Sequence, residues 1–195
     1  MLRDTLRKEQ GGMRVKFVGS FFENFPKDEL SHVVFVGRSN VGKSSLINML
    51  VGRDIARVSK EPGRTRAINF FLLEEYNLYL VDLPGYGYAK VSKRLRDEWK
   101  RVIEDYFHTC WEDIKLVVLL IDSLVGPTEL DIESIQWLQS LKLPHVIALT
   151  KCDRASQKEI SSSLKRLREV SDADVVLTSS KEGKGKRELL NYVLS

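Results

Sequence analysis

His32-Val33-Val34-Phe35-Val36-Gly37-Arg38-Ser39-Asn40-Val41-Gly42-Lys43-Ser44-Ser45-Leu46-Ile47-Asn48-Met49-Leu50-Val51 is the stretch whose reading decides the fold. The apolar, β-branched run 32–36 predicts a buried strand. Residues 45–51 set apolar side chains at the spacing of a helix that faces a sheet. Between them, Gly37 to Ser44 fits the pattern G-x-x-x-x-G-K-S/T in its required strand–loop–helix context. Gly37 and Gly42 let the backbone bend and approach an anion, so that successive N–H groups form a cradle. The helix N-terminus adds its positive dipole end. Lys43 is then expected to reach β- and γ-phosphates and the Ser44 hydroxyl to ligate Mg²⁺. A Gly-rich turn that merely precedes a helix would not need both glycines and the Lys-Ser pair. The expected footprint, Gly37 through Ser45, is a nucleotide site.

A chain of 195 residues can bury a core of its own, and one domain over residues 13–195 is expected behind a polar, flexible tail at residues 1–12. No apolar run approaches the length of a membrane span. The N-terminal Met1-Leu2-Arg3-Asp4-Thr5-Leu6-Arg7-Lys8 lacks the apolar core of a signal peptide and a myristoylation glycine. Two cysteines, Cys110 and Cys152, make neither a disulfide framework nor a zinc site. The expected compartment is reducing cytoplasm. The net charge of +4 is unevenly spread, with basic clusters at residues 53–66, 90–101 and 181–187. Such clusters suit a polyanionic partner, and equally the solvated faces of a mildly basic protein.

Working outward, Arg14 to Phe21 partly alternates and predicts an extra strand before the nucleotide fold. Residues 52–67 have no periodicity and hold Pro62-Gly63, a turn signal in a long and therefore functional or disordered loop. Strands follow at 68–73 and 78–82, joined by a hairpin at Glu74–Asn77. After a Gly- and Tyr-rich loop, Ser92 caps a charged helix to about Thr109. Strands at 115–122, 145–150 and 174–177 then alternate with helices at 128–141, 157–170 and 186–194. This alternation predicts an α/β fold: a three-layer, doubly wound, mostly parallel sheet with an extra N-terminal strand, and ligands at the carboxyl ends of the strands.

Three further motifs fall at such ends. Asp82-Leu83-Pro84-Gly85 supplies a carboxylate for Mg²⁺ and a Gly N–H for a γ-phosphate. Thr150-Lys151-Cys152-Asp153 discriminates the base, because a carboxylate accepts from N1–H and the 2-amino group of guanine. Adenine offers neither donor and would leave Asp153 unpaired. Lys151 can lay its stem along base and ribose. Thr178-Ser179-Ser180 follows the last strand with side chains small enough to let a backbone N–H approach guanine O6. Each tetrapeptide is weak alone; in this order they specify GTP and GDP.

The ordered set resembles the translation-factor-related GTPases over residues 32–195. Gly37 to Asn48, Pro62-Gly63-Arg64-Thr65 with Ile68-Asn69-Phe70, and Asp82-Leu83-Pro84-Gly85-Tyr86-Gly87-Tyr88-Ala89-Lys90-Val91 are similar to the EngB (YihA/YsxC) family. That resemblance implies a single-domain bacterial GTPase needed for assembly of the large ribosomal subunit and for septum formation in cell division. Its expected partners are ribosomal RNA and protein of the pre-large subunit, with no membrane, no DNA, and a monomeric state. Carried over by position, Thr65 is the switch threonine closing over Mg²⁺ and the γ-phosphate, with Gly63 and Arg64 beside it. Residues 53–68 and 85–98 are the two switch segments.

The chain departs from Ras-like enzymes where they carry a water-positioning Gln: here stands Tyr86. Slow intrinsic hydrolysis is expected, with Lys43, Thr65, Gly85 and Asn40 as the groups nearest the chemistry. Related GTPases use the loop Asn to bind K⁺, which makes Asn40 a candidate K⁺ ligand; Arg64 and Arg66 could instead supply transition-state charge. A signalling switch of the small-GTPase kind is the alternative, but the C-terminal Asn191-Tyr192-Val193-Leu194-Ser195 has no prenylation Cys. His32, His108 and His145 have no metal-ligand spacing, Cys152 reads as filler, and Trp99, Trp111 and Trp137 read as core packing.

Overall fold

The structure is a computed structural model that describes residues 12–56, 67–87 and 92–195. The expectations for the tail at 1–11, for Gly63, Arg64, Thr65 and Arg66, and for residues 88–91 lie outside the described residues.

Chain order is β1 (Val15–Phe21), β2 (Ser31–Gly37), α1 (Lys43–Val51), β3 (Ile68–Leu73), β4 (Leu78–Asp82), α2 (Lys93–Cys110), β5 (Ile114–Asp122), α3 (Glu129–Ser140), β6 (His145–Thr150), α4 (Gln157–Val170), β7 (Val175–Leu177) and α5 (Lys186–Leu194). The strands form one seven-stranded sheet in the order β1-β3-β4-β2-β5-β6-β7. β2 pairs parallel with β4 on one side and β5 on the other, and β6 and β7 continue the parallel run. β3 and β4 form the expected hairpin, and β1 adds antiparallel to β3 as an edge strand. The order reverses about β2, so the crevice at its carboxyl end is the topological switch point.

Each buried strand feeds two cores. Along β5, Val117, Leu119 and Ile121 pack with Tyr106 and Phe107 of α2, Ile135 and Leu138 of α3, and Ile160 and Leu167 of α4. The intervening Leu116, Val118 and Leu120 pack with Leu46, Ile47 and Leu50 of α1 and Leu189 and Val193 of α5. Three layers result, with α1 and α5 on one face and α2, α3 and α4 on the other. The starts of α2, α3 and α4 are set by side chains: Ser92 accepts from Leu95 N–H, while Thr128–Asp131 and Ser156–Glu159 are reciprocal capping boxes.

One expectation is corrected. Trp99 is buried, and Trp137 packs edge-on against Phe107 at 4.6 Å between centroids. Trp111, however, is 46% exposed, because α2 ends at Cys110 and a 3₁₀ turn at Trp111–Asp113 carries it off the apolar stripe. Its indole N–H donates to Leu141 O at 3.2 Å. His32 is structural: it is buried against Tyr106, whose hydroxyl lies 2.9 Å from its Nδ1.

Candidate nucleotide site

Parallel strands β4, β2, β5, β6 and β7 end on one edge of the sheet, so the residues following them meet there. The loop after β2 turns through Asn40 (φ 63°) and Gly42 (φ 97°) into α1. Gly42 is the N-cap of that helix and no side chain caps it, the arrangement of a helix end that receives an anion. Lys43 extends to Asp82 at the end of β4 and forms an ion pair with it, both side chains being largely buried. The loop cation and the D-x-x-G acid are thereby brought together.

The D-x-x-G segment is laid against the phosphate loop by backbone hydrogen bonds. Tyr86 N–H donates to Gly37 O at 3.1 Å, and Ser39 N–H donates to Tyr86 O at 2.8 Å. A Cβ on Gly85 would stand 3.0 Å from both the Cα and N of Ser39, so any larger residue would have to push the two backbones apart. Leu83 is buried in the sheet core, and Pro84 is buried ahead of Gly85. Tyr86 sends its phenol away from the loop, to Asp131 Oδ1 on α3 at 2.6 Å.

The T-K-x-D segment clips the same loop from the other side. Thr150 is buried, and its hydroxyl donates to Val41 O at 2.7 Å. Lys151 (φ 59°) reaches back over the loop, donating to Asn40 O at 2.8 Å and Asp122 Oδ2 at 2.7 Å. Gly42 lies beneath its stem, with Lys151 Cε 3.9 Å from where a Gly42 Cβ would be. Cys152 is buried and burial raises its thiol pKa, in keeping with a filler role. Asp153 Oδ1 accepts from the Ser179 hydroxyl at 2.8 Å, which holds its carboxyl below the usual range and aims it.

In the segment after β7, two of the three backbone N–H groups are already engaged. Thr178 N–H donates to Leu149 O at 2.8 Å, and Ser179 N–H donates to Lys184 O at 3.2 Å. Neither N–H is available to a base; Ser180, exposed beside them, is the member of the trio whose N–H has no partner among the described residues. Ser179 contributes through its side chain instead, by orienting Asp153.

Two site residues escaped the sequence reading. Asp122 ends β5 and anchors Lys151, and its Oδ1 accepts from Leu124 N–H at 2.9 Å. Its signal was position alone, an Asp at the carboxyl end of a parallel strand. Asn48 of α1 accepts from Ile55 N–H and Ala56 N–H at 2.9 and 2.8 Å and donates to Ala56 O. It fixes the chain where the loop after α1 begins; it closes the run Gly37–Asn48 that carries the family resemblance, but that run did not assign it a role.

A phosphate loop, a D-x-x-G turn and a T-K-x-D turn on one edge of a doubly wound sheet define a P-loop GTPase. Residues 32–151 match the family model described as 50S ribosome-binding GTPase. The chain is 53% identical over 184 residues to the "probable GTP-binding protein EngB" of Aquifex aeolicus, covering 94% of this chain and 100% of that one. It is 46% identical to the like-named protein of Thermotoga maritima over 87% of this chain and 88% of the other. A crystal structure of a probable GTP-binding protein EngB superposes with a TM-score of 0.70 at 29% identity, over 84% of this chain and 96% of its own. The chain belongs to the EngB family of GTP-binding proteins and is a GTPase.

Proposed function

We propose that this GTPase is a Mg²⁺-dependent molecular switch in assembly of the large ribosomal subunit, and that normal septation depends on it. The observation that carries the switch is the laying of Gly85 and Tyr86 against the phosphate loop. A γ-phosphate arriving there meets the D-x-x-G backbone, and its loss removes that ligand. The ribosomal partner is supported by the description of the matching family and by the exposed Lys93, Arg94, Arg96, Lys100 and Arg101 of α2. Arg94 and Lys100 are partly offset by Glu98 and Glu104, so α2 is a mixed but net basic face.

In this reading the loop from Gly37 through Ser45 holds the phosphates, and Lys43 exchanges Asp82 for the β- and γ-phosphates. Ser44, Asp82 and Thr65 are hard oxygen donors of the kind Mg²⁺ takes. Asp82 fits that role here, because it is buried, paired with Lys43 and at the mouth of the loop. The metal would neutralise phosphate charge. Asp153, aimed by Ser179, reads guanine N1–H and the 2-amino group, while Lys151 covers base and ribose. Ser180 supplies the N–H toward O6. Gly63, Arg64 and Thr65 complete the set as switch residues.

Tyr86 is not the water-positioning group, since its phenol is bonded to Asp131 on the far face of the sheet. Intrinsic hydrolysis is therefore slow unless a K⁺ held by Asn40 stabilises the leaving charge. In this reading residues 13–195 are one domain, which is supported by the two cores of the described residues lying on a shared sheet. In this reading it works in the cytoplasm as a monomer. Among the described residues no helix is long and apolar enough to cross a membrane.

Co-sedimentation with large ribosomal subunits tests the proposal. Association is expected with a non-hydrolysable GTP analogue, weaker with GDP, and lost as salt is raised. Equal association in both nucleotide states, or none in either, would overturn it.

A further inference from the structure

Tyr86 is held from three directions. Its N–H and carbonyl are bonded to Gly37 and Ser39 of the phosphate loop. Its phenol donates to Asp131 Oδ1 at 2.6 Å. Asp131 is 1% exposed, and its other oxygen accepts from the Thr128 N–H and hydroxyl at 2.8 and 2.9 Å, closing the capping box of α3. The carboxylate is thus fixed by its own helix before the phenol reaches it. Tyr86 packs into the core beneath α2, α3 and α4, the layer opposite α1. Burial and the facing carboxylate raise its pKa, so the phenol stays a donor.

Gly85 is the residue immediately before this staple. It sits against the backbone of Ser39, and its own N–H has no partner among the described residues. A donor placed beside the phosphate loop and not otherwise engaged is preorganised for an anion there. Any displacement of Gly85 must strain or break the bonds that hold Tyr86.

We infer that Asp131 is a positioning residue for recognition of the γ-phosphate: through the Tyr86 phenol it keeps Gly85 against the phosphate loop, and it couples that contact to helix α3. Neither Asp131 nor the start of α3 belongs to any of the nucleotide motifs. The staple raises affinity for GTP relative to GDP, because only GTP uses the N–H that it positions. This rests on the assignment of Gly85 to the γ-phosphate made above.

The test measures affinity for a non-hydrolysable GTP analogue and for GDP, with thermal midpoints alongside, in the wild type, Tyr86→Phe, Asp131→Asn, the double variant and Gly85→Ala. Tyr86→Phe is expected to lose about five- to tenfold in analogue affinity with GDP affinity changed by no more than about twofold, the scale of one buried hydrogen bond. Asp131→Asn should shift the ratio the same way, and the double variant should lose no more than the larger single loss. Equal losses for both nucleotides, with lowered midpoints, would make the bond purely structural and overturn the inference. An unchanged or raised ratio in Tyr86→Phe, with a selective loss in Gly85→Ala, would overturn the role of Asp131 and leave the γ-phosphate assignment standing. No selective loss in Gly85→Ala would remove that assignment, and the inference with it.

Discussion

Thr150 shows how a single hydroxyl ties two motifs together. It is buried, and it reaches the carbonyl of Val41 in the phosphate loop from the segment proposed to read the base. The phosphate loop and the proposed base-reading turn are therefore tied together directly. Thr150→Val keeps the shape and leaves the Val41 carbonyl without its donor. A loss of about 1–3 kcal/mol in stability is expected, read from the denaturation midpoint, together with weaker binding of GTP and GDP alike. Unchanged binding would mean that the loop keeps its form without the clip.

Caps and turns decide where each element begins, and they should be separable from the site. The Ser156–Glu159 box starts α4, which contributes Ile160 and Leu167 to the core but no residue to the nucleotide edge. Ser156→Ala should cost about 1 kcal/mol in stability with nucleotide affinity unchanged. A parallel loss of affinity would place α4 in the site.

At this scale the sequence was widely legible. Apolar runs of five to nine residues between amphipathic stretches permit little besides parallel strands and covering helices, and the hairpin at Glu74–Asn77 is set by its turn length. The loops after β2, β4 and β6 were legible because phosphate and base chemistry restrict residue type at fixed spacing. What was not legible depends on partners far apart in the chain. Asp122 meets Lys151 across 29 positions, and Tyr86 meets Asp131 across 45. A serine in a small-residue motif does not announce that its hydroxyl will bond an aspartate 26 positions away, as Ser179 bonds Asp153. Trp111 failed for a related reason: helical periodicity carried past the end of α2 misplaces the first residue of the 3₁₀ turn.

For the whole molecule, the sheet's dependence on a neutral buried histidine sets an acid limit. Desolvation holds His32 down to about 4 from 6.5, against weaker opposing effects of Asp113 and Asp28. In the unfolded chain it protonates near its ordinary value, so the unfolded state binds the extra proton first as pH falls. Its contribution is fully present above about pH 6.5 and is lost progressively down to about pH 4, on the order of 3 kcal/mol in all. The thermal midpoint should fall through this window, and the slope should flatten in His32→Gln once its own lower starting stability is taken as reference. An identical slope in that variant would assign the acid sensitivity to the carboxylates.

One site on one sheet edge is held to recognise guanine through Asp153 and the phosphates through the loop after β2. The most direct measurement is binding of GTP, ATP and xanthosine triphosphate to the wild type and to Asp153→Asn. GTP should exceed ATP by orders of magnitude in the wild type. The variant should lose GTP and gain the xanthine nucleotide, whose 2-oxo group accepts where guanine donates. Equal binding of ATP and GTP by the wild type, or a variant that keeps its preference for GTP, would contradict the assignment of Asp153.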